Sequence, residues 1–389
     1  MSSKTLKTAV WYPGVRGAGA KDVIPFARAL EQGGVDQIFT WDFLTGILPR
    51  AAWTPEFSPA AAVLPDGDSF YDPFVTLGIA GGATTNLGLS VVATNAIRNG
   101  PAEMMRMALT LAQASGGNTI IAVGTGEKQN TYPFGYRRTE GLARLEDHFR
   151  LYRLLREADE PFTFEGNVWQ YRNAYIGTIR SHLPKMYVAG TGPRALDIAA
   201  RYADGWLTVC PAAFAHVEHY AETVAEMRRK VEQYGRDPDA FEFAVEAIAL
   251  VNDDEEAIQR AIDESEFVAC FASLYGRMAH HEWEEDGVPL ARPRDYNYTF
   301  HLLPNEVTRG EYDDTIKKVS RKMKEKSFVF GPAKVVAAHW AEYVEAGASW
   351  VGFLDFAPFV FGLEDAPNCL ARNIEVSRLL KETTTPRVS

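Results

Sequence analysis

Gly190-Thr191-Gly192-Pro193 follows a strand-like run and opens a helical pattern. The first N–H groups of a helix have no intrahelical partner and attract anions. Glycines let a phosphate approach the backbone, and Pro193 suits a first helical turn. Arg194 adds a positive charge. A plain strand-to-helix turn has the same composition, so taken singly this is a candidate phosphate cradle. Gly124-Thr125-Gly126-Glu127 also follows a strand. Its small residues keep the adjoining space open, and Glu127 brings a carboxyl able to donate or accept a proton; the plainer reading is a solvated glutamate. Asp42 ends the second strand. Ser90-Val91 ends the third, a place for a bulge or a strained peptide beside a ligand. Strand ends delivering Asp42, Thr125 with Glu127, and the Gly190–Gly192 turn to one face point together to a cofactor site.

Other reactive side chains read more plainly. His280-His281-Glu282-Trp283-Glu284-Glu285 lacks the H-E-x-x-H spacing, because the residue four beyond His281 is Glu285; it reads as a polar loop, not a metal site. His148, His216, His219 and His339 fall on helical patterns and read as surface or half-buried. Met104, Met105 and Met107 read as helix packing. There is no G-x-S-x-G. Cys210, Cys270 and Cys369 are odd in number and far apart with no Cys-x-x-Cys spacing, which reads as neither a disulfide framework nor a zinc site and suits a reducing compartment; no metal site is expected.

The elements that must position these residues alternate. Short apolar strands are predicted at 7–12, 35–41, 87–93, 119–123, 185–189, 206–209, 241–251 and 350–356. Helices are predicted at 22–32, 73–84, 102–114, 139–157, 193–202, 214–234, 332–346 and 366–380. Strand-then-helix order means a parallel sheet. Eight such units, with no G-x-G-x-x-G after the first strand, favour a closed (β/α)8 TIM barrel in one domain over 1–389 rather than an open doubly wound sheet. Two segments break the rhythm. Residues 42–72 carry prolines and aromatics; residues 275–330 are rich in His, Trp, Tyr and Arg and then in Lys. Insertions after barrel strands build active sites, so 42–72 is a candidate lid and 275–330 a candidate substrate-side insertion.

With 389 residues the chain is long enough for a large core, and 40 Lys plus Arg against 51 Asp plus Glu leave a net charge of −11. That balance argues against broad nucleic-acid or anionic-membrane binding. The first ten residues carry no apolar leader and no stretch is apolar enough to span a membrane, so a cytoplasmic enzyme is expected.

Four segments resemble the bacterial-luciferase-like flavin and deazaflavin oxidoreductases: TWDFLTGILPR (40–50), LGLSVVATNAIRNGPAEMMRMALTL (87–111), IAVGTGEKQNTYPFG (121–135) and YVAGTGPRALDIAARYADGW (187–206). The likeness covers roughly 5–210 and resumes near 328. It is nearest to the mycobacterial phthiodiolone-ketoreductase and glucose-6-phosphate-dehydrogenase branch, which uses the 8-hydroxy-5-deazaflavin coenzyme F-420. The resemblance implies a luciferase-like barrel, often a homodimer. It implies that Asp42 contacts the ring system and that a non-proline cis peptide at Ser90–Val91 supports the ring's back face. It further implies that Gly124, Thr125 and Gly126 line the site, that Glu127 moves a proton, and that Gly190, Thr191 and Gly192 take the coenzyme's phosphate.

One position departs from that pattern. The dehydrogenase-like members have a His after the Asp, serving as base for alcohol oxidation; here it is Phe43, which moves no proton. Reduction is therefore favoured: hydride from C5 of the coenzyme to an electrophilic carbon of a ketone, enone or imine, with Glu127 as the acid. His280, His281 or Tyr296 from the second insertion could supply another. The aromatic insertions suit a bulky, partly apolar small-molecule substrate. The first alternative is an FMN-dependent monooxygenase of the same fold, which needs a flavin reductase as partner; the second is a non-catalytic flavin-binding protein.

Overall fold

The computed structural model describes residues 5–15, 19–177, 180–275 and 278–384. Residues 1–4 fall outside, so the expectation of no apolar leader rests partly on residues not described.

Eight parallel strands close on themselves: β1 (Lys7–Trp11), β2 (Gln37–Thr40), β3 (Gly88–Asn95), β4 (Thr119–Gly124), β5 (Lys185–Ala189), β6 (Gly205–Cys210), β7 (Glu242–Val251) and β8 (Trp350–Asp355). Each pairs with the next, and β8 returns to β1 with Lys7 opposite Trp350. Helices α1 (Val23–Gln32), α2 (Pro73–Gly81), α3 (Pro101–Ala114), α4 (Gly141–Glu157), α5 (Pro193–Tyr202), α6 (Val217–Gln233), α7 (Ala333–Glu345) and α8 (Ala366–Thr384) surround the barrel. This is the expected TIM barrel, at nearly the expected boundaries.

The strands bury both faces, which is why they read as unbroken apolar runs. Val10, Ile38, Leu89, Val91, Ile121, Val188, Val245 and Val351 pack outward under the helices. Ala9, Phe39, Val92, Ala122, Tyr187, Ala244 and Trp350 fill the barrel itself. Near the strand N-termini the plug is polar: the Gln37 side-chain oxygen accepts from Ser90 at 2.8 Å and from the Trp350 indole at 2.7 Å. Met104 and Met105 are fully buried under α3, as packing residues. The three cysteines are free and buried.

Three features depart from the sequence reading. An antiparallel hairpin, Phe162–Glu165 with Gln170–Ala174, follows α4, and its turn is held by Asp147, whose carboxylate accepts from the backbone of Asn167, Val168 and Trp169. His148 is fully buried, not on the surface, because its ring bridges the carbonyls of Arg144 and Asn99. His280–Glu285 is a short helix rather than a polar loop, anchored by the buried Glu282 and Trp283. No helix among the described residues is long and apolar enough to cross a membrane.

Candidate active site

The C-terminal ends of the strands open into a cavity of about 860 Å³. Its floor and walls bring together Asp42, Gly124, Thr125, Gly126, Glu127, Gly190, Thr191 and Gly192, from three strand ends.

At one end stands the glycine turn. Gly190 has φ +142°, a conformation that side-chain-bearing residues avoid, and its carbonyl accepts from the Trp206 indole at 2.7 Å. Gly192 is the N-cap of α5 and no side chain caps this helix. A Cβ placed on Gly192 meets nothing within 4 Å. The first-turn N–H groups of α5 and Arg194 therefore face open space, the geometry that holds a phosphate.

At the other end the walls are carboxyls and aromatic rings. Glu127 sits where the β4 chain leaves the barrel, and its Oε2 accepts from Gln129 at 2.6 Å and from Asn130 at 3.3 Å. Tyr298, from the second insertion, also hydrogen-bonds this carboxyl. Burial raises the Glu127 pKa above the ordinary carboxylate range against these donors. Glu246 points inward from the middle of β7. Burial, opposed by the Trp41 hydrogen bond and helped by the Glu127 charge, lifts its pKa to about 8. The Trp41 indole donates to it at 2.6 Å. Trp41 is walled by Trp11 and Phe43, with ring centroids 4.6 Å and 4.9 Å away.

Asp42 does not stand free. Its carboxylate pairs with Arg98 at 2.9 Å and accepts from Thr94 at 2.5 Å, both deep in the wall. Its backbone N–H bonds the carbonyl of Ala93. The non-proline cis peptide is Val92–Ala93, not Ser90–Val91. It falls where the β3–β4 pairing shifts register between Val91 and Thr94, two residues beyond the expected position. Ser90 is committed to the Gln37 plug and Val91 packs outward under the helices, while Ala93, Thr94 and Asn95 line the cavity.

The two insertions contribute unequally. From 42–72 only Asp42 and Phe43 reach the cavity; the rest packs down, with Phe57 against Phe267 and Ser58 bonded to the carbonyl of Phe359. Asn130 ties it to the Glu127 loop by accepting from the backbone of Leu44 and Thr45. The second insertion roofs the site with Asn297, Tyr298, Thr299 and Phe300. Arg138 lies beneath, its guanidinium 3.9 Å from the Phe300 ring centre. His280, His281 and Tyr296 do not line the cavity.

Sequence reasoning missed Glu246, Trp41, Tyr298, Arg138 and Thr208. A signal existed for Glu246: it is the one charged residue inside the otherwise apolar run FAVEAIALV (243–251). The Thr208 hydroxyl, buried on the cavity wall, has no hydrogen-bond partner among the described residues. That unpartnered group, the uncapped α5 start and the aromatic wall fit a flat ring system carrying a phosphate-bearing tail.

A family model described as luciferase-like monooxygenase matches residues 6–349. A Mycobacterium kansasii phthiodiolone/phenolphthiodiolone dimycocerosates ketoreductase is 28% identical over 320 residues, covering 80% of this chain and 85% of that one. A Nakamurella multipartita coenzyme F-420-dependent glucose-6-phosphate dehydrogenase is 30% identical over 260 residues, covering 65% and 70%. Among solved structures, a coenzyme F-420-dependent secondary alcohol dehydrogenase in complex with a coenzyme–acetone adduct superposes with TM-score 0.69 at 19% identity, over 96% of this chain and 99% of that one. The oxygenating constituent of a Pseudomonas putida 3,6-diketocamphane monooxygenase, in complex with FMN, superposes with TM-score 0.65 at 15% identity, over 98% and 100%.

Proposed function

The chain belongs to the luciferase-like monooxygenase family, and from that premise we propose that it is a coenzyme F-420-dependent reductase acting on a ketone, enone or imine of a bulky small molecule. The observation that carries this reading is Glu127: a half-buried carboxyl lining the cavity's inner end, its pKa raised by desolvation, and oriented by Tyr298, Gln129 and Asn130. Such a group is held in a fixed position, and its desolvation favours the protonated form. The named sequence relatives include a ketoreductase and a coenzyme F-420-dependent dehydrogenase, which supports the cofactor class.

In this reading the α5 start, with Gly190, Thr191, Gly192 and Arg194, holds the coenzyme's phosphate. Asp42, fixed by Arg98 and Thr94, and Ala93 beside it would border the ring system when it is bound. When bound and reduced, the coenzyme supplies a hydride from C5. Glu127 gives its proton to the oxygen or nitrogen of the substrate that gains the electron pair, and is reprotonated from water. General acid catalysis of this kind contributes about 10²–10⁴-fold. Phe43 and Trp41 exclude water and offer apolar contact to the substrate, while Phe43 leaves no base for the reverse oxidation at that position. Glu246, kept protonated below about pH 8 and bonded to Trp41, keeps a second negative charge away from the Glu127 carboxyl.

The test is a fluorescence titration of the purified protein with coenzyme F-420 and, separately, with FMN, followed by bleaching of the reduced deazaflavin with ketones and imines. Binding of the deazaflavin and substrate-dependent bleaching support the proposal. Tight FMN binding with oxygen consumption and no deazaflavin binding would replace it by the monooxygenase reading, which the FMN-bound structural neighbour keeps in view.

A further inference from the structure

Away from the cavity, the start of α6 meets the helix His280–Glu285 of the second insertion. His216 is the N-cap of α6 and His219 stands one turn on. Glu282 reaches across from the insertion and is fully buried. Its Oε2 accepts the backbone N–H groups of Ala215 and His216, and its Oε1 accepts Nδ1 of His219 at 2.8 Å. A ring nitrogen from each of His216 and His219 and an oxygen of Glu282 all lie within 4.8 Å of one another. Nε2 of His281 is 3.9 Å from the same Oε1. The His219 ring centre lies 5.4 Å from that of His216 and 5.7 Å from that of His281.

Capping of α6 explains one carboxylate oxygen of Glu282. It does not explain why the His219 and His281 imidazoles meet at the other, with the His216 ring alongside. We propose that His216, His219 and Glu282, with His281 as fourth ligand, form a binding site for a divalent transition-metal ion of the zinc class, which clamps the second insertion to the barrel.

The donor set is right for such an ion. Imidazole and carboxylate together suit zinc and its neighbours rather than calcium or magnesium, which take oxygen ligands. Four ligands at bond lengths of about 2.0–2.1 Å lie about 3.3 Å from one another in a tetrahedron. The His219–Glu282 pair must open slightly from 2.8 Å, His216 must close by up to about 1.5 Å, and His281, outside the three-residue cluster though 3.9 Å from Glu282, must swing further in by a side-chain rotation. The side chains of His216 and His219 are about a quarter and a third exposed, so an ion has a path in from solvent. Asp286 holds the His216 ring from outside at 3.1 Å and is itself paired with Lys326 at 2.6 Å, the kind of outer carboxylate that orients a ligating imidazole. The spacing argument on His280 and His281 failed to find this group because its members come from two segments 63 residues apart. The site is independent of what occupies the cavity.

The full-length protein, stripped with a chelator, is titrated with cobalt(II) and read by the visible absorption of a tetrahedral ion; zinc is then measured by competition with a chromophoric chelator. One ion per chain is expected, with a dissociation constant in the micromolar range or tighter. His219→Gln and His216→Gln keep the side-chain bulk and should each weaken zinc binding at least tenfold, with the circular dichroism of the metal-free protein unchanged. His281→Gln, at an exposed position that folding does not need, should weaken it several-fold. Zinc should also slow proteolysis between residues 285 and 321 in the wild type and not in His219→Gln. Absence of saturable uptake of one ion per chain, or equal uptake by the wild type and all three variants, overturns the proposal.

Discussion

At the Gly190–Gly192 end the cavity is walled by backbone, and at the Glu127 end by side chains drawn from segments far apart in the chain. The glycine turn is a local device: a φ only glycine adopts readily at Gly190, an open N-cap at Gly192 and a helix behind it. The inner end exists only when the barrel is closed. Glu127 leaves β4, Trp41 leaves β2, Glu246 stands on β7, and Tyr298 descends from the second insertion. The first end offers N–H donors to an anion and remains open. The second buries two carboxyls near each other and keeps both pKa values high. A ligand bridging them would have its charged tail at the mouth and its reacting ring beside the acids.

If that division is right, substitutions at the inner end act on turnover and those at the mouth on affinity. The largest effect is expected from Glu127→Gln, which keeps size and hydrogen bonding but carries no transferable proton. Turnover should fall on the order of 10²-fold with coenzyme affinity nearly kept. Steady-state rates beside a fluorescence titration check this. Undiminished turnover would move the acid elsewhere, and lost coenzyme binding would recast Glu127 as part of the mouth.

Glu246 gives the next effect, on stability. Its folded pKa of about 8 lies above the ordinary 4.5, so between those values the folded protein holds a proton that the unfolded chain has released. Stability from this group therefore falls as pH rises from about 4.5 to 8 and is level beyond. At about 1.4 kcal/mol per unit the full shift would amount to about 5 kcal/mol, and with relaxation of the site a loss of about 2–5 kcal/mol is expected. Denaturant melts across this range should show a flatter pH dependence in Glu246→Gln; Glu127, shifted in the same direction, keeps some slope. Identical slopes in the two proteins would place Glu246 in a wetter setting.

At the mouth, Gly192→Val projects methyl groups into the open space before α5, where a Cβ meets no protein atom. Coenzyme affinity should drop about tenfold, or about 1.4 kcal/mol, with turnover at saturation kept. Unchanged affinity removes the turn from the site.

The same contrast explains what could be read before the structure. The barrel was legible because buried parallel strands are short apolar runs bounded by helices, and each of the eight lies within a residue or two of its expected place. The mouth was legible because a Gly-rich strand-to-helix turn carries its chemistry in consecutive residues. The inner end was legible only at Glu127. Its partners Glu246 and Tyr298 lie more than 100 residues away, and barrel closure alone brings them near. The same limit hid the Val92–Ala93 peptide, since a register slip within β3 leaves no local mark.

Tyr298→Phe is the smallest change and the sharpest probe of how the second insertion serves the inner end. The phenol hydroxyl is one of three side-chain donors to Glu127, and a donor to the ionised carboxylate lowers its pKa. Removing it should raise the Glu127 pKa further. In the proposed step Glu127 must be protonated, so activity is expected to fall as pH rises through that pKa, and the alkaline limb of the turnover profile should move to higher pH. One lost hydrogen bond contributes about 0.5–1.5 kcal/mol, so turnover on the plateau should drop only about three- to tenfold through looser positioning. Tyr298 also packs against the apolar cluster that fills the barrel, and Phe keeps that packing, so the thermal midpoint should hardly change. An alkaline limb that stays where it is, with turnover reduced, would mean that Tyr298 contacts substrate rather than the acid. A limb that moves together with a plateau rate near wild type would mean that Gln129 and Asn130 alone suffice to aim Glu127.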